Sequence, residues 1–394
     1  MQLLDRRAAL AIAPLWRLGF RPFFLGGALF ALLAVALWAA ALAGHSVLQP
    51  LGGLLAWHRH EMLFGFGLAI IAGFLLTAVQ TWTGQPSLSG KPLMALSGLW
   101  LAGRLVWFLP LPVAVLVAVE LAFVVALVLA FGRLIWRARQ KHNAPIVLVL
   151  ALLGICQGLA LSGLVLGDDA LQRRGVLAAL WLVAALMTII GGRVIPFFTQ
   201  RGLGLPAQSP AKPWLMWSLL AGSLAIALLF AFDASQQQHP WAAPLFLLVA
   251  GLHLLRLWRW YHPGIWRVPL LWSLHLAYAW MAVAALAMAL WHLRLLDQVS
   301  LANHALAVGG MGGLILAMLA RVSLGHTGRP LQPPAAIAWA FALLHGATLC
   351  RVLLAGFSAY GLWLAAIGWC LAFAIFLRYY AAMYWTARLD GHPG

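Results

Sequence analysis

The chain has 394 residues, of which 64% are hydrophobic and only 8% charged. No soluble core of that length hides so much apolar surface, and the apolar runs are too long and unalternating for barrel strands. The formal charge of +17 invites a nucleic-acid reading, but the basic residues are scattered through short loops, as positive-inside topology requires, so nucleic-acid binding is excluded as the explanation.

Taken in chain order, the sequence predicts an all-α polytopic membrane protein with about twelve spans in a single integral-membrane domain, 1–394. The spans fall at 22–44, 58–81, 92–109, 112–135, 145–166, 174–195, 213–232, 241–260, 268–291, 301–321, 334–355 and 358–383. The first run is full length and follows Arg17 and Arg21, so it reads as a span and not as a cleavable signal. With the N-terminus in the cytoplasm, only Arg59, Arg173, Arg174 and Arg294 face outward and Arg104 and Arg351 lie within spans, so 19 of the 25 Lys and Arg residues face inward. That bias predicts an even number of spans with both termini cytoplasmic. Arg104 and Arg351 need a buried partner or must snorkel, and the intramembrane acids Glu61 and Glu120 each read as a proton-handling group or an ion-pair partner, for example of Arg104. The three cysteines, Cys156, Cys350 and Cys370, have no CxxC spacing and read as packing residues.

The densest chemistry opens the second span, WHRHEMLFGFG at 57–67. Imidazoles at the mouth of a membrane helix point to metal or haem ligation. Segment 60–86 also aligns without gaps on 304–330: His60 falls on His304, Gly65 on Gly309, and Thr83, Gly84 and Pro86 on Thr327, Gly328 and Pro330. A shorter tail relates the sixth and tenth spans, so spans two, six and ten define three pseudo-repeated arcs of four helices. His60 and His304 then occupy equivalent places near the outer surface and are the first pair for haem ligation. His58 lies one turn from Met62, an i, i+4 pair with copper-binding chemistry. Deeper, His253 on span eight and His275 on span nine sit at similar depth on antiparallel neighbours. His326 follows span ten on the inner side. His345 reads as structural, and His239 and His292 read as solvated loop residues.

Five stretches together resemble the NnrS family of bacterial membrane proteins: LGFRPFFLGGALF at 18–30, WHRHEMLFGFGLAIIAGFLLTA at 57–78, GGRVIPFFT at 191–199, LLWSLHLAYAW at 270–280, and HALAVGGMGGLILAMLARVSLGHTGRPL at 304–331. The resemblance runs the length of the chain. It implies twelve helices, haem (b-type) and copper, and a role in nitric oxide metabolism, denitrification or protection from nitrosative stress. His58, His60, His275, His304 and His326 fall in these stretches and are the carry-over candidates for haem, with His58, Met62 and His326 for copper. The partners implied are nitric oxide and the lipid bilayer, with the electron donor unknown. The chain also looks like haem-copper oxidase subunits in helix count. It departs from them in lacking histidines on spans six and seven, so an oxidase-type copper site and its chemistry are not expected. A bis-histidine electron-transfer cytochrome is the alternative function, and a secondary transporter a further one; the latter is disfavoured by the scarcity of intramembrane carboxylates.

Overall fold

The structure is a computed structural model that describes residues 6–45, 48–206 and 212–392. Its order is helix upon helix. A short α1 (Arg6–Ala11) is followed by α2 (Phe20–Leu42), α3 (Leu54–His60), α4 (Leu68–Thr83), α5 (Lys91–Val106), α6 (Val113–Arg137) and α7 (Ala144–Leu166). Then come α8 (Asp169–Leu203), α9 (Pro213–Ala231), α10 (Ala243–Trp260) and α11 (Pro269–His292), and finally α12 (Val299–His304), α13 (Gly313–His326), α14 (Ala335–Leu349) and α15 (Tyr360–Trp385). Among the described residues, 11 helices are long and apolar enough to cross a membrane. The fold class is therefore the all-α polytopic one that the hydropathy predicts. The remaining expected span, 92–109, is realised as α5, only 16 residues long, closed by Trp107 and the Leu109–Pro112 corner.

Proline and glycine set the joins. Pro sits in the first turn of α5, α7, α9, α10 and α11, where its missing N–H costs nothing. Gly84 and Gly167 end α4 and α7 in the left-handed region, at φ 67° and 68°.

Spans two, six and ten stand apart from the rest. In Leu54–Thr83, Asp169–Leu203 and Val299–His326, 78% of the most apolar window is buried, against 28–61% in the others. These are the three helices that the repeat relates. Two of them share a rarer feature. α3 ends at His60 and runs into a π-helical stretch, Glu61–Gly67, before α4; α12 ends at His304 and runs into another, Ala305–Gly312, before α13. The alignment that pairs His60 with His304 thus also pairs their wide turns. A Cβ on Gly65 would meet Arg104 Nη1 at 2.0 Å, and one on Gly309 would meet a Trp280 ring carbon at 2.4 Å and Thr348 Cγ2 at 2.7 Å. A third π-helical turn, Cys350–Leu354, follows α14.

By internal contacts the chain divides into two compact units, residues 1–176 with 319–332 and 373–394, and residues 177–318 with 333–372. In the first, α2 packs on α4 and its π-helical lead, and α6 packs on α4, α5 and α7. In the second, α11 is the hub, packed against α10, α12, the 305–312 turn and α14.

Candidate functional site

In the first unit, the polar residues of four apolar helices converge on one point. Arg104 of α5 donates to both carboxylate oxygens of Glu120 on α6, at 2.6 and 2.8 Å. Its Nη1 lies 2.7 Å from Glu61 Oε2. Glu61 Oε1 is 2.9 Å from His60 Nδ1. Gln157 of α7 donates to Glu120 Oε2 at 3.1 Å and lies 3.4 Å from His60 Nε2, and Trp107 Nε1 donates to Glu120 Oε1 at 3.1 Å. His60, Glu61, Glu120 and Gln157 are essentially sealed from solvent. Two carboxylates face one guanidinium, and pairing of this kind is what burial of charge demands.

The wide turn makes this meeting possible. A π-helical turn leaves a backbone carbonyl without its usual amide, and such turns gather at functional sites. Here the Gly65 carbonyl is taken by Trp100 Nε1 at 2.9 Å. Gly65 itself has no room for a side chain, because Arg104 Nη1, Glu61 Oε2 and a Phe30 ring carbon occupy the place of its Cβ. The His60 ring lies between Phe64 and Trp107, at centroid distances of 4.9 and 5.0 Å.

His60, Glu61 and Glu120 offer three donor atoms within 4.8 Å of one another, the only such group among the described residues. Nitrogen and carboxylate donors suit a divalent cation. Arg104 already supplies positive charge at that point, so a metal there would compete with its guanidinium.

His304, in the second unit, has its own setting. Nδ1 bonds the Ser300 carbonyl at 2.8 Å. Arg351 Nη2 lies 3.1 Å from Nδ1 and 3.3 Å from Nε2, and it also donates to Ser300 Oγ at 2.7 Å. Both arginines flagged within spans are thus partnered in the protein.

Further along the second unit, α10 and α11 carry His253 and His275. His253 Nδ1 is 3.0 Å from Tyr278 Oη, and Arg256 Nη1 holds that oxygen at 3.2 Å while also donating to the Thr188 carbonyl at 2.9 Å. His275 Nδ1 donates to the Leu271 carbonyl at 2.9 Å, which leaves the lone pair on Nε2. In both rings Nε2 is buried and has no hydrogen-bond partner. The two imidazoles take different partners.

The proposed copper set is not gathered. His58 stacks on Trp38 at 4.5 Å, Met62 packs in the apolar cluster around Trp57 and Trp107, and the His326 ring lies 5.5 Å from that of Phe20. His345 accepts from Trp280 Nε1 at 3.3 Å, a structural role. His292 corrects a loop expectation. It is fully buried, bonded to Ser235 Oγ at 2.8 Å and to the His239 amide at 3.1 Å, and it anchors the α9–α10 connection. Arg256, one of the inward-facing basic residues of the topology, is buried. Gln157, Trp100, Trp107 and Tyr278 carry no local sequence signal. Only their polarity within apolar runs marks them.

The arrangement defines a multi-pass membrane protein with charged and imidazole groups sequestered inside its helices. The family model for NnrS, described as NnrS protein, matches residues 14–388. The chain belongs to the NnrS family. No curated protein matches it significantly.

Proposed function

We propose that this is an inner-membrane haem protein, with copper as its second metal, that binds or turns over nitric oxide in nitric oxide metabolism or protection from nitrosative stress. Family membership supports the link to nitric oxide. The observation that carries the haem reading is the pair His253 and His275, whose Nε2 atoms are buried and unpartnered. A ligating imidazole has its other nitrogen fixed by a hydrogen bond. Tyr278, steadied by Arg256, does this for His253, and the Leu271 carbonyl does it for His275. These rings fit a nitrogen-binding iron or copper centre, and a lone buried imidazole nitrogen is otherwise a net cost.

Bound haem supplies an iron that takes up a small diatomic ligand. His60 and His304, the equivalent residues of the repeat, are the outer candidates, and on this reading at least one of them ligates iron. His58, Met62 and His326 are retained as copper candidates. The Lys/Arg bias supports cytoplasmic termini.

The test is an optical spectrum of the purified protein with and without nitric oxide, beside haem and copper stoichiometry. A haem band that shifts with nitric oxide is expected. His253→Ala and His275→Ala are expected to lower haem or copper content or move the band. A band indifferent to nitric oxide turns the reading to an electron-transfer cytochrome, and absence of haem from the wild type turns it to a transporter.

A further inference from the structure

Arg21 opens α2 within LGFRPFFL and is fully enclosed. Its Nη1 closes the end of α15, donating to the carbonyls of Thr386 at 2.7 Å, Tyr384 at 3.0 Å and, at 3.4 Å, Met383. Nε and Nη2 remain. Neither has a hydrogen-bond partner, and both are shielded from solvent. These two N–H groups form one side of the guanidinium, the edge that grips two oxygens of an oxoanion at once.

Among the described residues the surroundings are short of negative charge. Arg17, Arg329 and Arg388 are the charged side chains acting on Arg21. Arg329 Nη1 is a second buried donor without a partner. Asp390 has both oxygens engaged by Arg388, at 2.9 and 2.6 Å. Arg388 is further tied to the His326 carbonyl at 3.1 Å. Among the described residues Asp390 is taken up by Arg388, and the open edge of Arg21 is sealed from the water that would otherwise satisfy it. LGFRPFFL and GHTGRPL supply these two arginines with unfilled donors, and both stretches lie in the first compact unit.

We propose that the Nε/Nη2 edge of Arg21, together with Nη1 of Arg329, binds a phosphate group. A phosphate offers oxygens to both guanidiniums and brings the charge the cluster lacks, where a single carboxylate would be used up by one edge. Lipid headgroups and inorganic phosphate share this chemistry. The Lys/Arg bias puts this end of the helices at the cytoplasmic surface, where anionic headgroups lie. The proposal is independent of the haem reading.

The full chain in phosphatidylcholine nanodiscs is titrated separately with inorganic phosphate and with phosphatidylglycerol, and thermal unfolding is followed by tryptophan fluorescence. A saturable rise in the midpoint with phosphatidylglycerol alone identifies a lipid site, and one with inorganic phosphate alone a soluble-anion site. A rise with both supports a site that takes the group from either source. Arg329→Gln, which leaves the Arg21 cap on α15 untouched, is expected to raise the half-saturating concentration about tenfold or more. Arg21→Lys, which keeps the charge and loses the two-pronged edge, is expected to do the same. If Arg21→Lys does not fold, Arg329→Gln decides. No saturable rise with either titrant, or unchanged half-saturation in the variants, overturns the proposal.

Discussion

Replacing Arg104 by Met tests how the buried charges of the first unit hold one another. The side chain makes three close contacts to carboxylates, at 2.6 and 2.8 Å to Glu120 and 2.7 Å to Glu61. Met fills much of the volume but leaves two carboxylates facing each other with no fixed cation. Breaking a buried pair by removing one partner costs about 3–5 kcal/mol. Glu120 retains Trp107 and Gln157 as donors, so the lower end of that range is expected. Removing the stranded charges as well, with Glu61→Gln and Glu120→Gln, should recover most of the loss, because a neutral hydrogen-bonded set replaces an unpaired ionic one. Reversible unfolding in mixed detergent–dodecyl sulfate micelles, followed by tryptophan fluorescence, measures each variant. The reasoning is refuted if Arg104→Met lies within about 0.5 kcal/mol of the wild type, or if the added Gln substitutions only deepen the loss.

Gly65→Ala and Gly309→Ala should each destabilise by about 1–3 kcal/mol through overpacking, since their Cβ atoms would fall 2.0 Å from Arg104 Nη1 and 2.4 Å from a Trp280 ring carbon, whereas Gly346→Ala, with nothing within 4 Å, should be neutral or mildly stabilising in the same assay. Reporter fusions at the loop around Arg137 should give a cytoplasmic signal, and a periplasmic one would invert the topology. Asp390 is held below its ordinary pKa by the hydrogen bonds of Arg388. The tail contact between Leu389 N and the Thr327 carbonyl should therefore persist above the usual carboxylate range and loosen only as the pH falls through the depressed value. Hydrogen exchange at 386–392 reads this out, and Asp390→Asn should show the loosened state at neutral pH.

The sequence made the spans legible because hydropathy over twenty residues is a strong signal. It also marked Glu61 and Glu120 as candidate partners for Arg104, since opposite charges in apolar helices have few others, and both carboxylates meet that guanidinium. The repeat that pairs His60 with His304 singled it out over His58, and the structure buries His60 while His58 stacks on Trp38. What was not legible depended on distant side chains. Nothing local announces that Gln157 reaches Glu120 across 37 positions, or that Tyr278 sits between His253 and Arg256. His292 misled because a histidine at a predicted helix end looks solvated, and only the folding back of Ser235 and His239 encloses it. The π-helical turns were invisible because a period of 3.6 and a locally wider one bury nearly the same apolar residues in a run that is apolar all round.

Those wide turns have a consequence for how this chain tolerates change in length. Each holds a surplus position relative to a regular helix, and each residue of an α-helix advances the facing direction by about 100°. Elsewhere in a packed membrane helix, deleting one residue rotates everything beyond it out of register. Within 61–67 or 305–312, a one-residue deletion has a ready-made way to be absorbed, by tightening the turn into ordinary α-helix. The helix would survive, but His60 or His304 would swing by that same angle relative to α4 or α13. The chain thus carries, directly after each of its two equivalent histidines, a place where a deletion can re-aim an imidazole without unravelling the segment that bears it.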